Sequence, residues 1–142
     1  GNHGPVSEYQ ENDTDRENAR RLKNDEINAW RNAMEAANYT FEHNGRKWDY
    51  GKSTQTRLEP SVAAAKAGIL PLDFFWTDAQ NNDVPVTSEQ LIALSEAAEN
   101  AMFTKGMEIH IRQRNMKKEI AALNDTAAIM NYKVGWEKEA ET

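Results

Sequence analysis

The chain has 142 residues, with 17 Lys and Arg against 23 Asp and Glu, a net charge of -6 and no cysteine. That length suits one domain with a real core, and the acidic balance argues against nonspecific nucleic-acid binding, which needs a dominant positive field. Disulfides and thiolate chemistry are excluded, and no apolar run approaches the ~20 residues of a membrane span.

Residues 1–14 are polar and read as a disordered tail. No signal peptide is visible between Gly1 and Arg20, and the absence of an initiator Met leads us to expect a processed or recombinant fragment. Residues 15–136 read as a single globular domain and 137–142, EKEAET, as a solvated tail. The first helix is expected from Asp15 to Asn38, with Asp15 as N-cap and Asn38 as stop. Ala19, Leu22, Ile27, Trp30, Met34 and Ala37 form its apolar stripe.

Residues 39–50 predict one β-hairpin. Asn44-Gly45 is a type I′ turn signal. A two-residue loop there sets His43 against Arg46, Glu42 against Lys47, Phe41 against Trp48 and Tyr39 against Tyr50. Two aromatic pairs then stack on one face, and a one-residue slip destroys the pattern.

A short helix is expected over Ser61–Ala67, with Pro60 in its first turn and Gly68 as its stop. An extended segment covers Ile69–Val86. Within it Phe74, Phe75 and Trp76 want burial, and the polar turn from Asp78 to Asp83 wants solvent. A long amphipathic helix is predicted from about residue 87 to Leu123. Thr87 and Gln90 form its capping box. Leu91, Leu94, Ala98, Met102, Ile109, Met116, Ile120 and Leu123 form its stripe. Gly106 marks a kink or a tight crossing. A last helix, Thr126–Tyr132, and a terminal strand or hook at Val134 and Trp136 complete a mostly helical α+β fold.

No residue pattern carries catalysis. His3, His43 and His110 lack partners at metal-ligand spacing. Asp78, Gln80 and Asn82 place oxygens as a calcium loop does, and Glu89 falls at the twelfth position. However, Asp83 replaces the required glycine, and Pro85 and Val86 distort the loop. A polar turn is the expected reading and an ion site the alternative. Trp30, Trp48 and Trp76 sit at packing positions, with Trp30 and Trp76 as core anchors. Arg112, Arg114, Lys117 and Lys118 form the basic cluster. It reads as a solvated helix face near the C-terminal end of the dipole, and it is also the candidate partner surface. No catalytic residue, cofactor or metal ligand is assigned. A glycan-binding or glycan-hydrolysing domain is the rival, since carboxylates are too numerous to pair from sequence.

Five segments occur in a recognisable order: EINAWRN (26–32), FEHNGRKWD (41–49), FFWTDAQNNDVPVT (74–87), IHIRQRNMKKEIAA (109–122) and YKVGW (132–136). Together they resemble a small domain of tailed bacteriophages and prophages, the DUF4376 family, over about residues 24–136. The resemblance implies a noncatalytic tail or tail-fibre module acting through protein–protein contacts, as a structural or host-recognition part of the tail, with an assembly chaperone as the alternative. Its implied partners are tail or tail-fibre proteins or further copies of itself, and its implied location is the virion tail or the host bacterial cytoplasm during assembly. The family brings no catalytic residues to carry over.

Overall fold

The computed structural model describes residues 12–137. Its elements are α1 (Asp13–Ala36), β1 (Tyr39–His43), β2 (Arg46–Tyr50), α2 (Lys52–Lys66), β3 (Phe75–Thr77), β4 (Asp83–Pro85), α3 (Ser88–Ala121) and α4 (Thr126–Asn131). This is a mostly helical α+β fold, with two antiparallel hairpins where the sequence predicts one. Residues 1–11 and 138–142, the bulk of the expected tails, lie outside the described residues. Helix α1 starts two residues earlier than expected, because Asn12 rather than Asp15 is the cap: the Asn12 Oδ1 accepts from the Asp15 N–H at 2.9 Å. The chain divides into two compact units, residues 32–109 and the described residues 12–31 with 110–137.

In the unit of residues 32–109, β1 and β2 pair in the predicted register. Asn44 and Gly45 both take positive φ, 51° and 73°, as a type I′ turn requires. The Tyr39 and Tyr50 rings lie 5.6 Å apart. The second expected ring pair differs. Phe41 meets Tyr50 edge-on at 5.6 Å, while the Trp48 indole N–H turns to donate to the His43 carbonyl at 3.0 Å. A hydrogen bond for a buried indole outweighs the stack.

Helix α2 begins nine residues before the expected start, at Lys52, and so holds Pro60 in its interior. Thr54, Leu58 and Ala65 are buried at helical spacing and commit these residues to a helix. Pro60 has no N–H to give the Thr56 carbonyl, and both residues are on the exposed side of the helix. Gly68 ends the helix as predicted: its N–H donates to Ala65 and that of Ile69 to Ala64, at 3.2 and 3.0 Å.

The expected extended segment is the second hairpin, with Phe75 opposite Pro85, Trp76 opposite Val84 and Thr77 opposite Asp83. Strand alternation separates the apolar lead: Phe74 and Trp76 pack on the core, and Phe75 is exposed rather than buried. Helix α3 opens on the predicted capping box. The Gln90 N–H donates to Thr87 Oγ1 at 3.1 Å, and the Thr87 N–H donates to Gln90 Oε1 at 2.9 Å. Leu91 and Ala98 join Tyr50, Leu58 and Ala65 in the buried core. The helix runs through Gly106 without a break. A Cβ at Gly106 would meet nothing within 4 Å, so it marks no tight crossing within the chain.

In the other unit, Ala19, Ile27, Met116, Ile120 and Ile129 form the core, with Trp30, Leu123, Tyr132 and Val134 against it. Leu22, placed on the stripe by sequence, is exposed, and Lys23 is buried instead. Lys23 lies in line with Ala19 and Ile27 at successive fourth positions. Its methylenes cover the core while Nζ donates to the Tyr132 carbonyl at 3.0 Å. The fully buried anchors are aliphatic. Trp30 is half-buried and meets Trp136 edge-on at 5.0 Å. Helix α4 ends at Asn131, and the chain then forms a hook rather than a strand.

Gly51 has φ of 147°, and a Cβ there would sit 2.6 Å from Asn38 Oδ1 and 2.9 Å from the Ala37 carbonyl oxygen. Gly51→Ala is expected to lower stability by more than ~1 kcal/mol, since the backbone oxygen cannot rotate away. Gly45→Ala, where the added methyl meets nothing within 4 Å, is expected to cost less. Urea midpoints of the two variants check the order.

Candidate functional site

Two side-chain arrangements on the unit of residues 32–109 combine polar groups with concave surface. The first is the turn between β3 and β4. Asp78, expected in solvent, is buried. Its Oδ1 accepts from the backbone N–H groups of Gln80 and Asn82, each at 2.9 Å. Its Oδ2 accepts from the Asn82 side-chain amide at 3.1 Å and from Arg46 at 3.0 Å. Four donors fill the lone pairs that an ion would need, and Asn81, at φ 67°, turns the chain to bring them there. The Ala79 N–H donates to the Lys47 carbonyl at 2.8 Å, so this turn is fastened to β2. The Asn82 backbone N–H, helped by the Asn82 side chain, Gln80 and Arg46, holds the Asp78 carboxyl below its ordinary value of 3.8 against the opposing effect of burial. Among the described residues no three His, Asp or Glu side chains converge to hold a metal.

The second is a cavity of about 500 Å³ lined by Met34, Glu35, Tyr39, Tyr50, Met102 and Lys105 among others. Tyr39 Oη donates to the Met34 carbonyl at 2.6 Å. Lys105 Nζ lies 4.8 Å from the centre of the Tyr39 ring, a cation–π contact, and 3.3 Å from Glu108. Burial, with the Glu108 charge, raises both Tyr39 and Tyr50 above their ordinary value, so neither supplies a phenolate near neutrality. The paired tyrosines were legible in the sequence. Their cavity was not, because Met102 and Lys105 come from a helix distant in the chain.

The basic run divides. Arg112 is 11% exposed at its side chain. Its Nε donates to the Gly135 carbonyl at 2.7 Å, and its guanidinium lies 3.5 Å from Glu119 and from Glu137. Arg112 therefore fastens the C-terminal hook and is not open partner surface. Arg114 and Lys118 are exposed and Lys117 is half-buried. Nearby, buried Gln113 accepts from Arg31 at 2.8 Å and donates to Asn28 at 2.9 Å, a polar bridge between α1 and α3 that no sequence pattern announces. Tyr132 Oη donates to Glu119 at 2.7 Å. Burial and that carboxylate push the phenol up to about 12. His43 and His110 are half-buried and stand in no shared cluster.

The five ordered segments thus occupy a Trp-bearing helix, an Asn-Gly hairpin, a second hairpin at an Asp-locked turn, a long helix and an aromatic hook. The chain belongs to the family described as Domain of unknown function (DUF4376), which matches residues 10–134. No curated protein and no solved structure matches the chain. Among the described residues no helix is long and apolar enough to cross a membrane.

Asp78→Asn is expected to destabilise the fold at neutral pH by setting an amide N–H₂ or a poorer acceptor against Arg46 and Asn82. Because the folded carboxyl titrates below 3.8, its stabilisation is present above that value and lost as pH falls through the folded pKa. Urea unfolding of the variant should therefore show a flatter acid limb than the parent. At the other extreme, the raised Tyr132 contributes stability below its ordinary value of 10 that is lost as pH rises toward about 12. Tyr132→Phe is expected to shallow that alkaline loss, read as unfolding midpoint against pH.

Proposed function

We propose that this chain is a noncatalytic module associated with a bacteriophage tail or tail fibre, and that it acts through protein–protein contacts. The order of the family segments supports this reading. The observation that carries the contact role is exposed apolar surface. Ile69, Leu72 and Phe75 stand in solvent within seven residues of one another, on the segment leading into β3. Large apolar side chains grouped on a surface mark protein contacts more often than chance exposure does. Arg114, Lys117 and Lys118 are the proposed basic part of the contact surface, on α3. The module is part of the virion tail in this reading. An assembly chaperone, acting in the host cytoplasm, is the alternative for the same surfaces.

Mass spectrometry of purified particles and of infected-cell lysate distinguishes the two. The chain is expected in the particles; presence in lysate alone favours the chaperone. In pull-downs, Leu72→Asp is expected to reduce capture of tail proteins at least tenfold with the circular dichroism spectrum unchanged, because Leu72 is fully exposed. Undiminished capture would remove this segment from the contact surface.

A further inference from the structure

The outer face of α3 carries a charge-sorted apolar stripe that no part of its own chain covers among the described residues. Phe103, Met107 and Ile111 are 72%, 45% and 51% exposed. They recur every fourth residue, so they lie in a row along one helix. The row continues toward the N-terminus through Asn100 and Glu96 and toward the C-terminus through Arg114 and Lys118, all exposed. At ~3.6 residues per turn, the seven positions fall within about 80° around the axis. Helix α3 is unbroken from Ser88 to Ala121, so these relations follow from helical geometry alone. None of Glu96, Arg114 and Lys118 has an ion-pair partner among the described residues.

The order of residues in this stripe is self-complementary. Counting outward from Met107, the fourth positions are Phe103 and Ile111, the seventh Asn100 and Arg114, and the eleventh Glu96 and Lys118. We infer that the stripe binds the same stripe of a second copy, antiparallel, with a two-fold axis at Met107. Met107 then meets Met107 of the second copy, and Phe103 packs on Ile111 on both sides. Asn100 faces Arg114, and Glu96 pairs with Lys118. A two-fold contact needs a patch that complements itself in this way. The parallel alternative sets Glu96 on Glu96 and Lys118 on Lys118, a like-charge arrangement that opposes it. The paired stretch is ~33 Å long at 1.5 Å per residue. With three large apolar side chains per copy, it sits near the lower end of specific interfaces, so the dimer is expected to dissociate on dilution. This inference deepens the protein-contact reading by naming the occupant of the α3 outer face, and it rests on that reading only for the claim that this face makes contacts.

The test uses the full chain in sedimentation velocity over a concentration series. A concentration-dependent dimer is expected. Glu96→Lys and Lys118→Glu should each weaken it at least fivefold. The double variant, and an equimolar mixture of the two single variants, should restore it, because each places opposite charges across the axis again. The chain has no cysteine, so Met107→Cys supplies its one thiol, and mild oxidation should convert it to a covalent dimer. Asn115→Cys, off the stripe, should form no covalent dimer. A monomer at every concentration overturns the inference, and so does a dimer indifferent to both charge reversals. Tail-protein capture is read on Leu72→Asp and self-association on these variants, so failure of one reading is separable from failure of the other.

Discussion

The 34-residue helix α3 draws most of its stability from the apolar face it buries, as helices in proteins do, rather than from propensity. It buries that face in two places. Leu91 and Ala98 enter one core with Tyr50, Leu58 and Ala65. Met116 and Ile120 enter the other with Ala19, Ile27 and Ile129. Within each unit the shorter elements cover that unit's part of the helix. Helix α2, which must tolerate an interior proline, is held by Thr54, Leu58 and Ala65. The six-residue α4 is too short to persist alone and is held by Ile129.

Polar groups secure what apolar burial leaves undirected. Hydrophobic contact is non-directional, so it does not choose among turns of similar shape. Asp78 chooses for the second hairpin by accepting four hydrogen bonds, one from Arg46 on the first hairpin. Arg112 and Lys23 act alike on the C-terminal hook through the Gly135 and Tyr132 carbonyls. Each is a charged group removed from water and satisfied by specific partners, which is the condition for burying one without a large penalty.

The same economy separates surface from scaffold in the basic run. Arg112 is consumed by the fold, while Arg114 and Lys118 are left on the outer face with Phe103, Met107 and Ile111. A helix whose inner stripe is buried and whose outer stripe is also apolar has contact surface to spare. Its acid-to-base gradient gives that surface a direction.

The sequence by itself determined the features whose physics is local. Asn44-Gly45 demanded positive φ and so set the register from Tyr39 to Tyr50. Thr87 and Gln90 are three residues apart and cap α3 with each other. Gly68 stops α2, and the α3 stripe follows from its period. Only the tertiary structure decided the rest, because the partners lie far apart in the chain. Asp78 is buried because Arg46 comes from 32 residues away. Lys23 displaces Leu22 from the core because the Tyr132 carbonyl, 109 residues on, is there to receive its ammonium. Arg112 leaves the candidate partner surface because Gly135 folds back onto it. No window of neighbouring residues contains both members of these pairs, so spacing and composition could not reveal them.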